Sequence, residues 1–194
     1  MAYLDWSGLR PMSELEYEKA CRGTRMPVPD EFPWGTTTVT NGIYTLSAPG
    51  APNEAIATGY GTAVGNANYA EITNVTLGPL RTGIFAAAPG NTGRVTAGAT
   101  YYGIMDMGGS VLEKTVNLQV GGSFYTGVHG DGSLTWLGMY EVGIWPAAYA
   151  AIALKGGSFN GPADAMRTSD RAYIYAMDGD APLVGGGRGV RTAP

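Results

Sequence analysis

The feature that most narrows what this chain can become is the run Ile152-Ala153-Leu154-Lys155-Gly156-Gly157-Ser158-Phe159-Asn160 and the tail it introduces, which closes with Arg188-Gly189-Val190-Arg191. Ile152-Ala153-Leu154 is apolar and short enough for a buried strand. Gly156-Gly157 then lets the backbone turn where a side chain would clash. Arg167, Asp170 and Arg171 are spaced so that carboxylate and guanidinium can pair, and an arginine held this way stitches a loop-rich region through several hydrogen bonds. From Ala172 to Gly187 runs a strip with neither helical nor alternating period, holding Tyr173, Tyr175, Met177, Asp178, Asp180, Leu183 and Val184. Tyrosine beside small and acidic residues suits a binding loop, because its ring gives a large contact area at low entropic cost. Tyrosines packed on a core beneath a solvated loop give the same composition.

Composition supports a loop-rich chain. There are 31 glycines in 194 residues, against a usual share of about 7%. Charged residues make up 14%, well under the usual share of about 25%. With 44% hydrophobic residues the chain can bury one sizeable core, so a single domain over residues 1–194 is expected. The net charge is -4 with no basic cluster to neutralise phosphates, which argues against a nucleic-acid partner. No apolar run approaches the ~18 residues of a membrane span, and no signal-peptide pattern opens the chain. Membrane insertion is not expected. One cysteine, Cys21, leaves no internal disulfide and no thiolate cluster for zinc; one histidine, His129, excludes a multi-histidine site.

Near the start, Ser13 reads as a helix N-cap with Glu16 as its capping-box partner and Met12 against Tyr17 as a hydrophobic staple. Tyr17, Ala20 and Cys21 share one face, and Gly23 ends the helix. Cys21 is read as a small core residue rather than a nucleophile. Pro27 to Gly35 is a proline-rich turn region that carries Trp34 as an aromatic anchor. From Thr36 to Thr100 the chain is rich in Gly, Ala, Thr and Asn, with brief strand patterns at Thr37–Thr40 and Glu71–Val75 and no strict repeat. Gly59-Tyr60-Gly61 lacks a following helix to present amides to a phosphate, and a nucleotide loop is discounted.

Two later turns carry titratable groups. Asp106 and Glu113, joined by a glycine turn, offer hard oxygen ligands to calcium; a turn in which Asp106 caps local amides is the alternative. His129 and Asp131 in Val128-His129-Gly130-Asp131-Gly132 have acid/base chemistry, yet no Ser or Cys nucleophile stands in a recognisable context beside them.

Several blocks now fall into one order: Leu9-Arg10-Pro11-Met12-Ser13-Glu14-Leu15-Glu16-Tyr17-Glu18-Lys19-Ala20-Cys21-Arg22-Gly23, Pro33-Trp34-Gly35, Gly103-Ile104-Met105-Asp106-Met107-Gly108-Gly109-Ser110-Val111-Leu112-Glu113, Lys155-Gly156-Gly157-Ser158-Phe159 and Arg188-Gly189-Val190-Arg191. In this order they resemble the formylglycine-generating enzyme (sulfatase-modifying factor) family from about residue 3 to 193, with residues 36–100 poorly matched and read as an insertion. The resemblance implies an α+β domain of that family's C-type lectin type, with short twisted sheets, few helices and much ordered loop. It implies a structural calcium on Asp106, Gly109, Val111 and Glu113, the Gly and Val through backbone carbonyls. Ser110 and Leu112 depart from the family's usual Asn and Trp.

The family's chemistry does not carry over. Its enzymes bind copper with two cysteines shortly after the Gly-Gly-Ser-aromatic motif, and here that segment reads Asn160-Gly161-Pro162-Ala163-Asp164-Ala165-Met166-Arg167. The histidine cluster of its iron-dependent relatives is also absent. Neither an enzyme nor a copper or zinc cofactor is expected.

The layout is similar instead to the variable proteins of diversity-generating retroelements, whose tail after a Gly-Gly-Ser-Trp motif, here Gly156-Gly157-Ser158-Phe159, is diversified for ligand or receptor binding while the closing strand stays fixed. That likeness implies a ligand-binding patch of Phe159, Asn160, Tyr173, Tyr175, Asp178, Asp180, Leu183 and Val184, facing a protein or glycan ligand on another cell or particle. Relatives carry an N-terminal strand and helix before the Arg-Pro-Met block. The expectation is therefore a homo-oligomer whose neighbour adds a strand, or part of a larger chain, at an extracellular surface or on a virion. A structural or assembly subunit is the second reading; an enzyme built on His129 and Asp131 is the third.

Overall fold

A computed structural model describes residues 1–41, 43–69, 78–119, 122–146, 149–172 and 184–192. It is a small mixed α/β domain of short sheets and few helices. Helix α1 is Ala2–Trp6, strand β1 Arg10–Pro11 and helix α2 Glu14–Arg22; β2 (Thr45–Ser47) and β3 (Ala55–Thr58) follow. Then come β4 (Leu112–Val116), a 3-10 turn Tyr149–Ala151 leading into β5 (Ile152–Lys155), a second 3-10 turn Ala163–Met166, β6 (Gly185–Gly187) and β7 (Gly189–Val190).

Helix α2 starts as its sequence dictates. Ser13 is the N-cap, its side chain accepts from the Glu16 amide, and the Glu16 carboxylate accepts from the Ser13 amide at 2.9 Å. Gly23 ends it in a left-handed conformation, φ 65°. The buried face carries Tyr17 and Cys21, which pack with Met12 and Met107. Burial pushes the Cys21 thiol up to about 12, as a core residue requires.

The larger core joins Phe32, Trp34, Tyr44, Ile56, Ala67, Tyr69, Ile84, Phe85 and Met166. Trp34 stacks on Phe32 at 4.9 Å and its indole N–H donates to the Thr38 carbonyl at 3.0 Å. Each such ring, removed from water, contributes about 1.5–3 kcal/mol. Six of these nine residues lie within 36–100, so the segment expected as an insertion supplies most of the apolar core. Of its expected strands, the Thr37–Thr40 pattern yields only a single bridge, Val39 to Gly65, and Glu71–Val75 lies outside the described residues. The regular pair in this segment is the hairpin β2–β3, in register Leu46↔Ile56 with a bulge beside Thr45.

Strand β4 is the centre of the sheet β5-β4-β6. β5 pairs with it antiparallel, Glu113 opposite Lys155, and β6 pairs with it parallel, Leu112 opposite Gly185. The middle glycine of β6 has a steric reason, since a Cβ on Gly186 would stand 2.7 Å from a Val111 methyl. β1 and β7 make a separate antiparallel pair, Arg10 opposite Val190. The N-cap region of α2 closes on the far end of β4, where the Val116 amide donates to the Met12 carbonyl at 2.8 Å.

Candidate functional site

The C-terminal tail leaves β5 through Gly156 and Gly157, both at positive φ (86° and 67°). A Cβ on Gly156 would meet the Met107 carbonyl oxygen at 2.6 Å, and one on Gly157 the Met166 side chain at 2.7 Å. The two glycines thus make the turn expected of them, and they also let it lie flat on the 107–110 loop. The Gly109 amide donates to the Gly156 carbonyl at 2.7 Å, and the Phe159 amide to the Ser110 carbonyl at 2.9 Å. Phe159 is half-buried and Asn160 exposed, with its side-chain oxygen accepting from the Ser158 hydroxyl at 2.9 Å.

Past the second 3-10 turn the chain is pinned by charge. Lys155 is buried, and its ammonium donates to the Asp170 carbonyl at 2.6 Å, lies 3.9 Å from Glu18 and stands 5.5 Å from the centre of the Tyr17 ring. Burial lowers its pKa, against the pull of Glu18 and Glu14. Arg171 reaches back to α2 and donates to the buried Glu14 carboxylate at 2.7 Å. The same Glu14 oxygen accepts from the Leu118 amide at 2.7 Å. Arg22 binds Glu18, Glu31 and the Ser169 hydroxyl through three different nitrogens. The Thr168 amide donates to the Glu31 carbonyl at 2.9 Å.

The ion pair expected within Arg167-Thr168-Ser169-Asp170-Arg171 does not form. Arg167 turns to Asp30 at 3.4 Å, Arg171 to Glu14, and Asp170 accepts from the Ala172 amide at 3.3 Å. Arg171 is drawn to Glu14 because that carboxylate is buried on α2, whereas Asp30 and Asp170 both reach solvent. Asp30, Glu31, Arg167, Ser169, Asp170 and Arg171 line a cleft of about 230 Å³ at this point.

Of the expected binding patch, Tyr173, Tyr175, Asp178, Asp180 and Leu183 lie outside the described residues. Val184 is half-buried and its carbonyl accepts from the Leu112 amide at 2.7 Å, which starts the β4–β6 pairing. The strip therefore enters from residues tied to α2 and β5 and leaves into residues tied to β4.

The turn expected to hold calcium is closed by Arg188. Its Nε donates to Glu113 at 2.6 Å, and one terminal nitrogen donates to the carbonyls of Met105 and Asp106, each at 3.0 Å. Asp106 adopts φ 56° and its carboxylate accepts not from a local amide but from Gly83, at 2.7 Å. Burial raises the pKa of both carboxyls, and Arg188 opposes the rise in each. Gly109 is fixed by the chain beside it, because a Cβ there would sit 2.6 Å from the Asn68 carbonyl oxygen. As arranged, the carbonyls of Met105 and Asp106 and one oxygen of Glu113 are taken up by the Arg188 guanidinium. One oxygen of each carboxylate is committed, and Glu113 Oε2 is the buried one without a partner. No group of three or more His, Cys, Asp or Glu side chains is set for a metal ion among the described residues.

His129 and Asp131 do converge on one cleft, of about 560 Å³, together with Trp6, Ser7, Arg191 and Thr192. They are not joined to each other: His129 Nε2 accepts from the Thr192 amide at 3.1 Å and Asp131 accepts from the Ser133 amide at 2.8 Å. The Ser7 hydroxyl donates to Tyr3 and Leu4 carbonyls, away from the imidazole.

Sequence reasoning missed Lys155, Glu14 and Arg22, which hold the tail together. Lys155 gave a signal, a lone charge ending an apolar run. Glu14 and Arg22 gave none, because charged residues at a helix start and end look alike whether buried or solvated.

No protein-family model matches this chain, and no curated protein matches it significantly.

Proposed function

We propose that this is a non-enzymatic binding protein that presents residues of the 173–183 strip, flanked by Phe159, Asn160 and Val184, on a scaffold of C-type lectin type to a protein or glycan on another cell or particle. The observation that carries the reading is the anchoring of both flanks to one sheet. On the entry side Asp170 is tied to Lys155 of β5 and Arg171 to Glu14, and on the exit side β6 pairs with β4. A segment held this way can vary in side chains without altering the ends that hold it. Its resemblance in layout to the variable proteins of diversity-generating retroelements points the same way. The binding step in this reading does not call on calcium; Arg188 holds the Asp106–Glu113 turn through Glu113 and the Asp106 carbonyl.

Assembly is a second reading with its own observation. Phe124, Trp136, Leu137 and Met139 are all exposed on one segment, Trp136 at 92%. In that case those residues, rather than the strip, are the contact surface.

The test is a protein and glycan array probed with labelled parent and with a variant carrying Tyr173→Ala, Tyr175→Ala, Asp178→Ala and Asp180→Ala. The expected result is loss of the captured ligands with the melting temperature kept. Equal capture by both proteins overturns the reading, and loss of capture only with Trp136→Ala transfers it to assembly.

A further inference from the structure

The cleft beside α1 is built from residues the proposed function does not use. Its frame is Asp5, which is fully buried on α1 and accepts from the amides of Asp131 at 3.1 Å and Glu141 at 2.8 Å. The Asp5 carbonyl accepts from the Gly132 amide at 3.0 Å, and the Leu9 carbonyl from the Gly130 amide at 2.8 Å. Gly130 permits this approach, because a Cβ there would lie 2.3 Å from the Asp5 Cα. The 129–132 loop is thereby clamped to α1 and the side chains on either side of Gly130 share the cleft.

What the frame leaves open is chemically specific. Because His129 Nε2 accepts from Thr192, its neutral form carries the proton on Nδ1, a free donor. Asp131 commits one carboxylate oxygen to Ser133, and the other has no partner among the described residues. Arg191 makes neither an ion pair nor a hydrogen bond among the described residues, which leaves its five N–H groups available. Trp6, 62% exposed, offers an apolar ring at the edge of the same cleft.

We propose that this cleft is a saccharide-binding site, with Trp6 as the stacking platform and Asp131, His129 and Arg191 as hydroxyl partners. Both donors and acceptors stand beside an aromatic face, and a sugar ring matches that set: each hydroxyl donates and accepts, and its C–H face covers the indole. A simple ion is the poorer fit. The charges are of both signs and solvated, and an exposed pair is worth only about 0–1 kcal/mol. Several hydrogen bonds around a ring stacked on Trp6 add up where one exposed charge does not. The cleft volume, about 560 Å³, falls within the span of small-ligand pockets.

Saturation-transfer NMR on the whole chain tests it, using glucose, galactose, N-acetylglucosamine and lactose as probes, with glutamate and inorganic phosphate as controls. Saturable binding of at least one sugar is expected in the millimolar range, roughly −4 kcal/mol. Trp6→Ala and Arg191→Gln are expected to weaken it at least about tenfold, while Tyr173→Ala with Tyr175→Ala leaves it unchanged. Trp6 and Arg191 are both exposed, and circular dichroism checks that each variant folds. Absence of saturable sugar binding, sugar binding that survives Trp6→Ala, or binding of phosphate or glutamate alone overturns the proposal. The strip variant separates this site from the displayed surface, so either can fail without the other.

Discussion

The aromatic core and the C-terminal seam are held by opposite means. Around Trp34 the contacts are apolar, undirected and redundant: nine buried residues share one cluster. In the seam few apolar groups are buried, and order comes from Lys155, Arg171, Arg22 and Arg188, each reaching a specific carboxylate or carbonyl. A core of the first kind tolerates change of shape at a graded cost. A seam of the second kind is all or nothing at each contact, because a buried charge that loses its partner keeps its desolvation penalty.

Substitution in each region sharpens that contrast. Trp34→Ala is expected to cost about 3–5 kcal/mol, by lost burial and the cavity left behind, read by urea denaturation. A cost under about 1 kcal/mol would mean the aromatic layer is not the main source of stability. Arg188→Ala is expected to cost about 1.5–3 kcal/mol at neutral pH, since Glu113 loses a charged hydrogen bond. That cost depends on pH with a definite sign. Burial holds the Glu113 carboxyl above its ordinary 4.5, so its contribution is present below that value and is lost as pH rises through the folded-state pKa. Without Arg188 to pull it down, the window extends upward. The variant is thus expected to lose more stability than the parent as pH rises above the ordinary carboxylate range; parallel pH curves for the two proteins would place Glu113 in water. The smallest effect belongs to neither region. Ser13→Ala removes one half of the capping box and is expected to cost about 1 kcal/mol, visible as a small shift in the urea midpoint without change of slope.

The same contrast explains which parts were legible in the sequence. The α2 cap and the Gly156-Gly157 turn could be read because their causes are local: Ser13 and Glu16 sit three residues apart, and two adjacent glycines carry their own conformational freedom. The loop-rich character followed from glycine richness, whereas the mixed α/β class was expected only from the family resemblance. The aromatic layer was hidden because Tyr44, Ile56, Tyr69 and the Ile84-Phe85 pair are scattered through a Gly-, Ala- and Thr-rich stretch, with no period to mark a buried face. The ion pairs were hidden for a different reason. Arg171 and Glu14 are 157 positions apart, Arg188 and Glu113 are 75, and spacing along the chain says nothing about such partners. Local spacing even misdirected, assigning Asp170 to its neighbouring arginines when its backbone carbonyl is the part that matters, as the acceptor for Lys155.

One consequence of the β1–β7 pair concerns the order in which the chain is made. Arg10 sits opposite Val190, and its guanidinium contacts Thr192 across 182 positions. β6, the third strand of the central sheet, also comes from the last stretch described, at 185–187. A nascent chain still attached to the ribosome before residue 184 emerges can bury its aromatic layer, yet it has no partner for β1, no cation for Glu113 and an open edge on β4. Synthesis delivers the latch after every other described element, and the exposed β4 edge must be kept from other strands until it arrives.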